Sequence, residues 1–154
     1  MRLNEHFDLM AAYNQWMNGK VYQAASNLDE EALFLDRGAF FRSIFGTLNH
    51  LVVGDTIWLK RFATHPASAN ILSPVTELQT PTRLDQTVCA DFGALWEHRQ
   101  WLDEQIIGWV SGLTDLYLDF TLTYHNTKGV SRRMRLSPLI FHFFNHQTHH
   151  RGQV

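Results

Sequence analysis

Cysteine is almost missing from this sequence: Cys89 is the sole thiol among 154 residues. No internal disulfide can form, so the fold must be held by packing or by a metal, which fits a reducing compartment. Long apolar runs are also missing. The longest strongly apolar stretch, Leu139 to Phe144, is short and contains His142. Nothing approaches the ~20 apolar residues that a membrane span needs. At the N-terminus, Asn4, Glu5, His6 and Asp8 interrupt any apolar run, so no secretory signal is expected. Excess positive charge is absent too. The net charge is -2 and the pI is near 6.5, which argues against a dedicated nucleic-acid binder. These absences together lead us to expect a soluble, cytoplasmic protein whose partner is a small molecule, with no role for nucleic acid or membrane.

Apolar material is plentiful. Hydrophobic residues make up 45% and charged residues 18%, enough for one packed core and unlike a disordered chain. The length suits a single domain over residues 1–154. Phe7, Met10, Ala11, Trp16, Met17, Val21 and Tyr22 are spaced for an amphipathic helix from Asn4, its expected N-cap, to about Ser26. Residues 27–42 read as a connector with one short helical turn. A second helix is expected over about Ser43 to Ala63. A proline-rich loop follows, holding Pro66, Pro74 and Pro81, and a third helix runs from about Leu84 to Val110. Alternation then sets in from Leu116 to Tyr124, the period of a strand. Asn126 to Gly129 reads as a turn, Val130 to Leu136 as a returning strand, and Ser137-Pro138 as the start of a fourth helix. The expected fold is all-α: a four-helix bundle with a β-hairpin inserted before the last helix. No C-cap is evident after His150, so the natural polypeptide is expected to continue past Val154.

Nine histidines stand out, four of them between residues 142 and 150: His142, His146, His149 and His150. His146 and His150 are four apart, which puts both imidazoles on one helix face, a good geometry for one metal ion. His142 extends that stripe by a turn, while His149 lies about 100° away. A third ligand must come from another helix. His50 is the candidate, with Gly46 and Gly54 one turn away on either side to leave room beside its ring. The bland alternative is that these histidines hydrogen-bond to one another or to Asn49 and Asn145. Four histidines on an otherwise apolar helix are costly unless satisfied, and metal binding would satisfy them.

The block from His142 to Gln153, with His146-Gln147-Thr148-His149-His150 at its centre, resembles the signature of the DinB family of four-helix metalloproteins. Asn49 to Leu59 is similar to that family's other characteristic segment, and Tyr13-Asn14-Gln15-Trp16 to its first helix. The resemblance touches three of the four helices. It implies a divalent ion held by His50, His146 and His150. It also implies a thiol-dependent transferase, some members using bacillithiol or mycothiol, or else a metal-dependent hydrolase. A low-molecular-weight thiol is therefore an expected co-substrate. Gln147 stands where many members have Gly or Ala, a difference expected to matter little. Three neutral imidazoles leave coordination positions open, the catalytic pattern, and such an ion produces a bound nucleophile at neutral pH. The ion could be Zn, Ni or Fe. A carboxylate-bridged di-iron site is not expected, because no helix carries Glu-x-x-His.

For acid–base work the sequence offers His142, above the metal, and Asp55, five residues after His50. Asp55 could reach substrate or orient a ligand, but a structural hydrogen bond to Tyr13 or Asn14 is its favoured reading. Arg151 reads as a dipole or surface contact, with an anionic co-substrate as the sharper alternative. Lys128, Arg132, Arg133 and Arg135 form a basic hairpin, read as a solvated edge, with an anionic thiol or phosphate partner as the sharper alternative. The aromatic content, eleven Phe, five Trp and four Tyr, makes a homodimer plausible. A non-catalytic metal- or ligand-binding bundle is the other class of protein these residues allow.

Overall fold

The structure is a computed structural model and describes residues 2–154. Four long helices make the bundle: α1 (Leu3–Ala25), α3 (Ile44–Phe62), α6 (Phe92–Ser111) and α8 (Leu136–Arg151). Both α1 and α3 pack on α6 and α8, so α1 and α3 face each other across a diagonal. Single turns fill the connections: α2 (Glu30–Phe34), α4 (Pro66–Ala69), α5 (Ser73–Thr76) and α7 (Asp115–Leu118). A hairpin, β1 (Thr121–His125) and β2 (Ser131–Arg135), precedes α8. The architecture is the expected all-α bundle with an inserted hairpin. Among the described residues no helix is long and apolar enough to cross a membrane.

Side-chain caps account for several helix starts. The side chains of Asp29, Ser43 and Asp91 accept hydrogen bonds from Ala32, Gly46 and Ala94 N–H, satisfying first-turn donors that would otherwise be orphaned. Asp91 is also why α6 begins at Phe92 and not near Leu84. The backbone before it is engaged elsewhere: Asn49 donates to Gln86 O and accepts from Val88 N–H, holding residues 84–88 along α3. α1 is capped by Arg2 together with Glu5, two residues upstream of the expected Asn4.

The alternation from Leu116 to Tyr124 is strand only in its second half. Thr114 accepts from Tyr117 and Leu118 N–H and winds α7, which buries Leu118 and leaves Leu116 exposed. The hairpin register pairs Thr121 with Arg135 and Tyr124 with Arg132. Its turn is tied by Asn126 Oδ1, which accepts from Lys128 and Val130 N–H, with Gly129 at φ +74° where a side chain is disfavoured. Leu136 N–H donates to Phe120 O, so the strand passes straight into α8 with Arg135 at the cap, not Ser137. Pro138 then sits in the first turn, where its missing N–H costs nothing. The helix closes on Gly152, a C-cap that the sequence reading did not recognise.

The core is aromatic at its centre. Trp109 stacks on Phe62 at 4.7 Å, and its indole N–H donates to Ser68 Oγ. Burying each such side chain stabilises by about 1.5–3 kcal/mol. A polar layer crosses the same core. Arg99 and Asp55, both essentially inaccessible, form an ion pair at 2.5 Å, and Arg99 also reaches Asp103 at 2.9 Å. Gln147 donates to the same Asp55 oxygen. Asp103 accepts from Asn18, and Arg151 donates to Asn18 and Asn14. One network thus joins all four long helices.

Candidate metal centre

The site lies where α3 and α8 meet. His146 and His150, one turn apart on α8, face His50 on α3. His50 Nε2 lies 3.1 Å from His146 Nε2, and one ring nitrogen from each of the three histidines falls within 4.8 Å of the others. Two imidazoles bound to one tetrahedral zinc hold their nitrogens ~3.3 Å apart, given a Zn–N bond of ~2.05 Å. The separation of His50 and His146 is of that order.

Their hydrogen bonds point the same way. His50 Nδ1 is 2.9 Å from Leu84 O, a carbonyl that can only accept, so this nitrogen carries the proton and Nε2 presents its lone pair. His150 Nδ1 stands 2.7 Å from Gln153 Oε1 in the same relation. Pinning the far nitrogen in this way orients a histidine for a metal. His146 Nδ1 is buried without a partner, so this third histidine, unlike the other two, has no group that holds its far nitrogen. Burial pushes His50 down to about 4 and His146 down to about 3, each from an ordinary value near 6.5, and lowers His150 as well. All three imidazoles are neutral at pH 7, as ligands must be. The donor set, and the tautomers of His50 and His150, fit a divalent ion.

Two glycines permit the arrangement, for different reasons. A Cβ on Gly54 would lie 2.7 Å from His146 Cε1, so that glycine makes room for the facing imidazole. Gly46 does not flank the ion as expected. Its missing Cβ lets the Phe41 carbonyl approach the helix, where a Cβ would sit 2.2 Å from that oxygen. Arg42, at φ +68°, completes the bend. Phe41 is thereby laid flat on His50, with ring centroids 3.7 Å apart and planes within 14°. The connector that carries Phe41 looked featureless in sequence.

A cavity of about 400 Å³ opens over the histidines, with Phe40, Phe41, Trp58, Arg61 and Leu84 among its walls. Neither Asp nor Glu lines it. His142 stands exposed at the rim, its ring 5.2 Å from Trp58 and 6.3 Å from His146. His149 also reaches the cavity wall, beside His150. Asp55 does not: it is wholly buried against Arg99 and Gln147, its bond is structural as favoured, and its partners are neither Tyr13 nor Asn14. Arg151 likewise turns inward and is not a surface contact. Gln147 is fully buried on Asp55, so it matters more than the family comparison of that position suggested.

A helical bundle with a cluster of three histidines able to hold a divalent ion defines the class of this protein. The DinB family pattern matches residues 2–154, and the chain belongs to that family. It is 25% identical over 142 residues to Protein DinB of Bacillus subtilis (strain 168), an alignment covering 92% of this chain and 78% of that protein. No solved structure matches it.

Replacing Gly54 with Ala should separate site from fold. The clash falls on the end of a side chain, which can swing aside. We expect metal affinity to drop about 10–100-fold, the usual cost of disturbing a ligand's support, with little change in melting temperature. Titration calorimetry with zinc reads the first quantity. Unchanged affinity would mean that His146 needs no such clearance.

Proposed function

We propose that the chain binds one divalent ion through His50, His146 and His150 and activates a thiol or water nucleophile on a small molecule, in the manner of a thiol S-transferase. The observation that carries this reading is the tautomer arrangement: Leu84 O and Gln153 Oε1 hold the outer nitrogens of two histidines while the inner nitrogens converge. Zn, Ni and Fe all accept imidazole donors. A bound ion with open positions lowers the pKa of a thiol or water to near neutrality.

The protein's own residues supply the rest. Phe41 on His50 and Trp58 at the wall keep water from one side of the cavity and present apolar surface to a small molecule. His142 is the proton carrier, supported by its exposed rim position beside Trp58 and by the absence of any carboxylate from the lining. Asp55 acts through the bundle, holding Gln147 and hence the helix that bears His146.

Elemental analysis of the purified protein should find about one divalent ion per chain, and conjugation of small thiols to electrophiles should depend on it. Conjugation that persists after full metal removal would defeat the reading. Turnover of ester or amide substrates, without any thiol requirement, would shift it to the hydrolase alternative. A tightly held ion with neither activity would favour the non-catalytic bundle.

A further inference from the structure

The cavity over the histidines is joined by a second one, of about 440 Å³, which shares Ile57, Arg61, Leu84 and Thr127 with it. Neither contains a carboxylate among its lining residues, although acidic residues outnumber Lys and Arg in the chain. Three full cations border the pair: Lys60, Arg61 and Arg83. Two are occupied. Lys60 donates to the carbonyls of Thr76 and Leu78, and Arg83 pairs with Asp85. Arg61 has no carboxylate partner and no hydrogen-bond acceptor among the described residues. It is half-buried, with its guanidinium 4.7 Å from the Trp58 ring and 5.1 Å from the Tyr124 ring. The two aromatic faces hold the guanidinium while its N–H groups remain unused. That is how an arginine is prepared for bidentate capture of an oxyanion.

Helix periodicity connects Arg61 to the histidines. Eleven residues separate it from His50, close to three full turns, so both lie on one face of α3 with Gly54 and Trp58 between them. Their Cα atoms are ~16 Å apart along the axis. The guanidinium leans back over Trp58, so a ligand engaging both ends spans about two helical turns and is not a single inorganic anion.

We propose that Arg61 is the anion anchor of the site: the ligand is an elongated small molecule with a carboxylate or phosphate at the end opposite its metal-binding atom. The assignment rests on the metal-site reading above. It also gives the site's fixed positive charge a counterion that the protein itself does not provide. The arginines of the hairpin do not share this role, because Arg132, Arg133 and Arg135 are exposed and line neither cavity.

The test uses the zinc-loaded protein and three probes of similar length: 6-mercaptohexanoate, 6-mercaptohexyl phosphate and the uncharged 6-mercaptohexanol. Calorimetry should show at least one of the charged thiols binding roughly tenfold or more tighter than the alcohol, as expected for a charge-assisted pair. The better of the two identifies the oxyanion. In Arg61→Met that preference should fall to near one, while affinity for the alcohol and metal content stay unchanged. Arg61→Lys, which keeps charge but loses the fork, should fall between. A preference that is absent from the native protein, or that survives in Arg61→Met, overturns the proposal. If zinc or the alcohol fails to bind, the metal reading is at fault, and Arg61 is then judged on the metal-free protein. Saturation-transfer signals from hexanoate and hexyl phosphate, with 1-hexanol as control, should show a charged probe favoured and that preference lost in Arg61→Met. No preference, or one that persists in the variant, rejects the anchor there too.

Discussion

Replacing Arg99 with Met should destabilise the protein by about 3–5 kcal/mol, the usual cost of removing one partner from a buried ion pair. Arg99 is inaccessible and carries Asp55 at 2.5 Å and Asp103 at 2.9 Å. Without it, two buried carboxylates keep only neutral hydrogen-bond donors, Gln147 on one and Asn18 and Asn14 on the other, with the Arg151 charge further off. For a domain of this size the loss corresponds to a melting point about 6–20 °C lower. Gln147→Ala should cost less, about 1.5–3 kcal/mol, the range for a hydrogen bond to a charged group. Replacing Asp55, Arg99 and Asp103 together by apolar residues of similar volume should recover much of the loss, because desolvation of the charges then disappears. Thermal and urea melts check all three. A melting point for Arg99→Met within 2–3 °C of the native protein would show that the carboxylates find other compensation. The same variant should also weaken metal binding. Asp55 sits on α3 and Gln147 on α8, one residue beyond His146, so the network fixes how the two ligand-bearing helices meet.

How much of this was legible in the sequence depended on how local each cause is. His146 and His150 could be paired from spacing alone, since four residues on a helix define one face. His50 could be singled out as a mid-helix histidine between small residues. The geometry around it could not be read. Phe41 reaches His50 through a positive-φ residue, Arg42, and a missing Cβ at Gly46, and neither leaves a periodic trace. Apolar residues continue through the seven residues from Leu84 to Ala90, and local periodicity therefore predicts helix there. Their backbone groups go instead to Asn49 and His50, a long-range demand that local propensity cannot register. Asp55 shows the same limit more sharply. A carboxylate five residues from a presumed ligand invites a catalytic role, yet its partner Arg99 lies 44 residues away and only the packed fold brings them together. Gln147 was judged by comparison of a single position, when what decides its weight is the buried charge it touches.

The largest effect on the site itself should come from its ligands. In His50→Ala or His146→Ala, metal affinity should fall by at least 100-fold, larger than the loss expected for a supporting residue. The consequence for stability follows from linkage. An ion that binds only the folded chain stabilises it by ~2.7 kcal/mol at a hundredfold excess over Kd. A chelator should therefore lower the native melting point by about 5–10 °C and leave the His50→Ala melting point unmoved. A chelator shift that persists at full size in His50→Ala would remove that residue from the ligand set. Acidification of the metal-free protein has a defined sign. Burial lowers His50 to about 4 and His146 to about 3, whereas both titrate near 6.5 once unfolded. The unfolded chain takes up protons first as pH falls from 6.5, so stability present above that value is lost progressively toward pH 3–4. With metal bound the loss should begin at the same pH, because it starts in the unfolded chain, but should run on to lower pH, because protons must displace the ion before they reach the folded imidazoles. Melting points measured from pH 8 to 3, with and without zinc, should lie furthest apart near neutral pH and converge toward pH 3 as the folded-state histidines protonate and the ion leaves. Curves that stay parallel to pH 3 would mean that the ion is not held by these histidines, since only ligands that protonate can couple its release to pH.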